Sequence, residues 1–168
     1  LTNVFCHPEN NGGNYSIANM ITMESTNLYA AILNYLASRY CSNKYGRVHH
    51  WILHNEVDAA NEWTNMGNQP ELVYNDTYVK SMRLCYNIVR QYDQHASVLG
   101  SYTHCWTKSY DSFNYTAKSM LEQIVRYSNA EGDFLWGVAF HPYPHDITQP
   151  EFWKNDTASI YTLESPYV

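Results

Sequence analysis

The sequence predicts an α/β protein on a parallel sheet and, within that class, part of a (β/α)8 TIM barrel. Three observations carry the prediction. Short apolar runs alternate with stretches of helical period, and that alternation implies parallel strands joined by helical crossovers. Each run breaks into polar residues at its C-terminal end: His7, Asn55-Glu56, His104-Cys105-Trp106 and His141-Pro142-Tyr143. Barrels collect their functional residues at that end of the strands. An open nucleotide-binding sheet would instead carry a GxGxxG or Walker loop, and none follows any strand.

Taken in order, Leu1 to Phe5 reads as a first short strand, breaking at Cys6-His7-Pro8-Glu9. After Gly12-Gly13, Ser25 or Thr26 is placed to cap a helix whose apolar face is Leu28, Ala31, Ile32, Tyr35 and Leu36. The central strand follows the Tyr45-Gly46 turn signal and holds Val48, Trp51, Ile52 and Leu53. It gives way to His54-Asn55-Glu56, then to Asp58, Asn61, Glu62 and a long polar loop through Gln69. Pro70 opens a helix with Val79, Met82, Tyr86 and Val89 on one face. Ser97 to Thr103 is the next strand. Ala117, Met120, Leu121, Ile124 and Val125 mark a third helix, Gly132 stops it, and Leu135 to Phe140 is the last strand. Ile52 and Val138 are expected to point into the barrel interior. Beyond Pro144 the sequence is irregular, with a helical turn around Glu151-Phe152-Trp153. No composition break suggests a second domain, so 1–168 reads as one domain.

Composition excludes several partners. The net charge of −6, with no cluster of Lys and Arg, argues against nucleic acid. No apolar run is long enough to span a membrane. Cys6, Cys41, Cys85 and Cys105 form no CxxC pair, which removes a zinc ribbon, and free buried thiols are expected rather than disulfides. His50 and His54 have the spacing of a helical zinc pair. On a strand they stand about 13 Å apart, while two ligands of one zinc each lie about 2 Å from it. No metal or cofactor is expected. Sixteen Tyr and five Trp suit a protein that handles sugars, though they suit an aromatic core equally.

The stretch WILHNEVDAANEWTNMG, with KYGRVHH before it and YVKSMRLCYNIVRQY after it, resembles an uncharacterised bacterial family of glycoside-hydrolase-like (β/α)8 barrels. So do AEGDFLWGVAFHPYPHD and the opening CHPENNGGNYSIANM. That family in turn resembles clan A of the retaining glycosidases, in which an Asn-Glu pair ends the fourth strand. The resemblance implies a carbohydrate substrate and polysaccharide degradation, and hence a secreted or periplasmic location. It implies that Glu56 is the general acid/base, protonating the glycosidic oxygen and then deprotonating water. Asn55 would hydrogen-bond the sugar 2-hydroxyl. His141 and Tyr143 would orient the nucleophile or line the sugar site, His104 would join them, and Trp106 would stack on a sugar face.

The resemblance also implies an incomplete barrel, about strands 3–6 with their helices. Eight strands and about 250 residues make a whole one. The partner carboxylate, about 5–5.5 Å from Glu56 in a retaining enzyme, is then expected outside the chain. Glu164 is the late candidate within it, although it follows His141 too closely for a helix and strand to intervene. The remainder of the barrel is thus an expected partner. Two other readings stand beside this one: a non-catalytic carbohydrate-binding barrel and a metal-dependent hydrolase.

Overall fold

The structure, a computed structural model, describes residues 4–12, 14–143 and 151. Its centre is a parallel sheet of β1 (His50–Leu53), β2 (Ser97–Tyr102) and β3 (Trp136–Phe140), in the order β1-β2-β3. Helix α1 (Met23–Tyr40) precedes β1; α2 (Ala60–Trp63) and α3 (Glu71–Val89) lead to β2, and α4 (Ala117–Glu131) leads to β3. The α/β class and the parallel sheet follow the predicted alternation. Helix α1 packs on α3, α3 on α4, and α3 lies over β2, so these helices form one layer on one sheet face.

Register decides which side chains meet that layer, because residues paired across parallel strands point the same way. Trp51, Val98 and Trp136 form one row toward the helices, and Leu53, Gly100 and Val138 the next. Leu53, Val98 and Tyr102 are buried there with Met82, Met120 and Ile124. The opposite face carries Ile52, Leu99 and Gly137, and Ile52 is 55% exposed. Ile52 therefore lies on the open face, as expected of an interior residue, but Val138 does not. Its partner is Gly100, which puts it on the helical side. Period-2 alternation fixes parity within a strand, whereas parity between strands needs the register. Gly100 itself sits under two buried rings. A Cβ there would lie 2.9 Å from Tyr102 Cε2 and 3.3 Å from the Tyr78 hydroxyl, which donates to the Leu53 carbonyl at 3.0 Å.

Three other expectations are corrected. Residues 1–3 lie outside the described residues, and Val4 and Phe5 form an exposed turn rather than a strand. Cys6 forms an isolated antiparallel bridge to Ala18 and belongs to no strand of the sheet. Three strands are therefore present among the described residues, and β2 rather than β1 is the middle one. Helix α1 is capped by Thr22, in a reciprocal box with Ser25. Its buried residues are Ser25, Leu33 and Ala37, while Leu28, Ile32 and Tyr35 are exposed. Apolar residues occur on nearly every side of this helix, so periodicity alone could not choose the stripe that docks on α3. The later helices match their predicted faces better. Val79, Met82 and Val89 of α3, and Ala117, Met120 and Ile124 of α4, are buried.

At the N-terminal end of the sheet, Asp93 ties β1 to the loop before β2. Arg47 pairs with its carboxylate at 2.9 Å, His49 at 3.2 Å, and the His95 N–H donates at 2.9 Å. The Arg47 guanidinium and then the His95 amide hold this carboxyl at about 2. The opposite, C-terminal end is where the polar residues gather.

Candidate active site

Strand β1 stops at Leu53, and the backbone then turns sharply. His54 and Glu56 have φ of 57° and 39°, the left-handed region that non-glycine residues rarely enter. Such a conformation costs of order 1–3 kcal/mol per residue and persists only where the surroundings over-determine it. Here they do. The Glu56 N–H donates to Ser101 Oγ at 3.0 Å, and the Val57 N–H to the Ser101 carbonyl at 2.9 Å. The Ala59 N–H closes the turn onto the Glu56 carbonyl at 2.8 Å. The strained turn is thereby locked to the end of β2, and Glu56 is left only 8% exposed.

Two ring nitrogens converge on its carboxylate. His141 Nδ1 lies 2.8 Å from Oε1, and the Trp63 indole N–H donates to Oε2 at 3.0 Å. The Tyr143 phenol is close by; burial first, and then the nearby Glu56 carboxylate, raise it above its ordinary range. His141 Nε2 lies 3.3 Å from Ser101 Oγ. Ser101 Oγ already accepts the Glu56 N–H, so its own proton is free to point at His141 Nε2. With the Ser101 proton so directed, the imidazole proton sits on Nδ1, toward Glu56. Ser101 thus positions both partners of the His141–Glu56 pair.

The other expected residues divide into two groups. His104 belongs to the cluster: its ring meets Tyr143 edge-on at 5.7 Å and Tyr110 at 5.8 Å. Tyr143 in turn meets His141 at 6.0 Å, giving a run of rings from Tyr110 to the Glu56 partner. Asn55 is half-buried beside Glu56, and its amide makes no hydrogen bond to a described residue. Trp106 turns away. Its indole stands edge-on to Phe140 at 6.4 Å and packs on the hydrophobic core. His50 and His54 part company as well: His50 meets Ser97 Oγ at 2.7 Å, while His54 packs on Tyr78, and its burial lowers it to about 4. No three His, Cys, Asp or Glu converge as a metal site among the described residues. All four cysteines are free thiols. Glu164 lies outside the described residues.

Asp58, two residues after Glu56, is a fully buried carboxylate. It accepts the Thr103 N–H at 2.8 Å and the Thr103 hydroxyl, joining the loops after β1 and β2. Burial pushes its carboxyl up to about 6, against the Thr103 bonds and with some help from the Glu56 charge. The folded state therefore holds this proton to higher pH than the unfolded chain, which releases it near 3.8. Asp58 contributes stability below about pH 4 that is lost as pH rises through about 6. Asp58→Asn should remove that component: urea titrations at pH 4, 5, 6 and 7 should show the variant gaining on the parent up to about pH 6. A stability difference independent of pH would show that Asp58 stays ionised throughout.

Neither Trp63 nor Ser101 stands out in the sequence, and Asp58 does so only as part of a polar run. Trp63 is brought back by the one-turn helix α2 within what reads as featureless loop. Ser101 reads as an ordinary strand residue until register places it on the open face, opposite Ala139. An acidic residue two positions beyond Glu56 was a signal for Asp58. None of the periodicity rules reached the other two.

The fold and this rim define a class: an α/β protein with a parallel sheet and a His–Glu–Trp–Tyr cluster at the C-terminal ends of its strands. The chain belongs to a family of unknown function (DUF5722), which it matches over residues 2–168. No curated protein and no solved structure matches it. Among the described residues, no helix is long and apolar enough to cross a membrane.

Proposed function

We propose that Glu56 is the general acid/base of a retaining glycoside hydrolase, and that residues 1–168 are part of a (β/α)8 barrel. One observation carries this reading. A buried carboxylate after β1 receives donors from the α2 loop and from the end of β3, and is locked to the end of β2. Sequential strand order with the helices on one face supports the barrel, because doubly wound sheets reverse their order at a switch point and carry helices on both faces. The nucleophile is a second carboxylate contributed from beyond the described residues, and the remaining strands supply the wall that Ile52 lacks. His141 holds Glu56 in orientation, and Asn55 presents its amide to a sugar hydroxyl. The site is located outside the cytoplasm, where polysaccharides are degraded.

The test uses the intact protein and Glu56→Gln. Cleavage of glycosides with poor leaving groups should fall to background, while activated aryl glycosides should lose far less in the glycosylation step, since a good leaving group needs little protonation. Equal loss for both substrate types would remove the acid/base role.

A further inference from the structure

Beside Glu56 lies a cleft that the acid/base reading does not use. It opens between the N-terminal loop and α2, and is lined by Gly12, Asn14, Tyr15, Asn61, Glu62 and Trp63. Tyr15 and Trp63 stack with ring centroids 5.2 Å apart and planes 29° from parallel. Tyr15 remains 56% exposed and Trp63 36%. An exposed stacked pair of this size keeps apolar ring surface in water, and water-facing aromatic faces beside polar groups suit a ligand that is apolar on its flat side and polar at its edge. The edge groups are present. The Asn61 oxygen accepts from Asn65 at 3.3 Å, but its amide nitrogen has no partner among the described residues. The Asn14 amide and the Glu62 carboxylate likewise make no bond to a described residue, and all three are exposed.

Trp63 connects the cleft to the chemistry. One edge of its indole donates to Glu56 Oε2, while its ring stacks on Tyr15 at the cleft. A group resting on Tyr15 is therefore one indole away from the carboxylate, within the same rim. The charge of the lining selects further. It carries one carboxylate and no Lys, Arg or His, so an anionic ligand would meet repulsion with nothing to offset it.

Resting on the reading of Glu56 given above, we propose that this cleft is a subsite for a neutral sugar ring of the substrate, with Tyr15 as its stacking platform and Asn14, Asn61 and Glu62 as its hydroxyl partners. It takes neutral glycans and rejects those bearing uronates or sulfates. Neighbouring hydroxyls of a pyranose offer paired donors and acceptors, which an amide beside a carboxylate can match. The axial hydrogens of the same ring offer the apolar face.

The experiment measures binding of the intact protein, carrying Glu56→Gln so that nothing is cleaved, to immobilised tetrasaccharides in neutral and uronate-containing sets. A neutral tetrasaccharide should bind, Tyr15→Ala should weaken it about tenfold, and Tyr15→Trp should keep it. Glu62→Gln should admit uronate-containing glycans that the parent rejects. Preference of the parent for uronates, absence of any glycan binding, or equal binding by Tyr15→Ala would each overturn the subsite. These outcomes are separable from the role of Glu56. If Glu56 is not the acid/base, the leaving-group split disappears while the Tyr15→Ala binding loss remains. If only the subsite is wrong, the split remains and Tyr15→Ala is silent.

Discussion

Glu56→Ala is expected to lower kcat on unactivated glycosides by about 10²–10⁴-fold, the range that a positioned acid/base supplies. The loss has two sources. On the proposed role, the variant has no group to protonate the departing oxygen or to deprotonate the incoming water. It also leaves the Trp63 N–H and the His141 ring without their shared acceptor. Both groups are partly exposed, so water or a rearranged His141 ring should fill the gap, and the stability loss should stay below the about 1–3 kcal/mol of a fully buried unpaired donor. Glu56→Gln keeps the shape and one acceptor oxygen, and should therefore be the more stable of the two variants while remaining almost as inactive. Stability follows from thermal unfolding and kcat from steady-state rates on the same preparations. A variant with unchanged kcat would remove Glu56 from the chemistry.

Gly67→Ala is expected to cost about 2–4 kcal/mol, combining left-handed strain with a backbone clash, against total stabilities of about 5–15 kcal/mol. Gly67 has φ of 75°, where only glycine is unstrained, and a Cβ there would run into the Glu9 carbonyl. Neither side can yield cheaply. The Gly67 N–H is held by Asn65 Oδ1 at 2.9 Å, and the Glu9 N–H by His7 Nδ1 at 3.2 Å. Asn65 is also the link to the N-terminal loop: its N–H donates to the Tyr15 carbonyl at 3.2 Å, and its Oδ1 accepts the Asn11 N–H at 3.2 Å. Relief of the clash would therefore pull the N-terminal loop away from α2 and open the Tyr15–Trp63 stack. Urea unfolding of the variant should show a lowered midpoint, with quenched or shifted Trp63 fluorescence in the native baseline. A loss under 1 kcal/mol would mean that the two loops are held more loosely than their contacts indicate.

How far these features were legible in the sequence depends on what sets them. Alternating strands and helices were legible because burial on one sheet face leaves a periodic trace, as in Val79, Met82 and Val89. The position of Glu56 just past the end of β1 was legible because the apolar run stops at Leu53 and polar residues follow. Register was not legible. Val138 landed on the helical face, and Ser101 on the open one, through pairings that no single strand encodes. The docking stripe of α1 was equally hidden, since Leu28, Ile32 and Tyr35 are as apolar as the residues that are buried. Trp63 escaped because its short helix has Ala59 at the N-cap and no side-chain cap, so no start signal marks it. What the sequence concealed is mostly what depends on two segments meeting.

The most direct test of the central claim is the anomeric configuration of the azide product formed by intact Glu56→Ala. An activated aryl glycoside needs no proton to leave, so the sugar still reaches the nucleophile and forms the covalent intermediate. Azide then enters the space vacated by the Glu56 carboxylate and attacks from the side where that residue would have activated water. Two successive inversions should give a glycosyl azide of the same anomeric configuration as the substrate, with faster turnover as azide rises. A glycosyl azide of the opposite configuration would mean that azide has replaced the nucleophile itself, and Glu56 would then be that nucleophile rather than the acid/base.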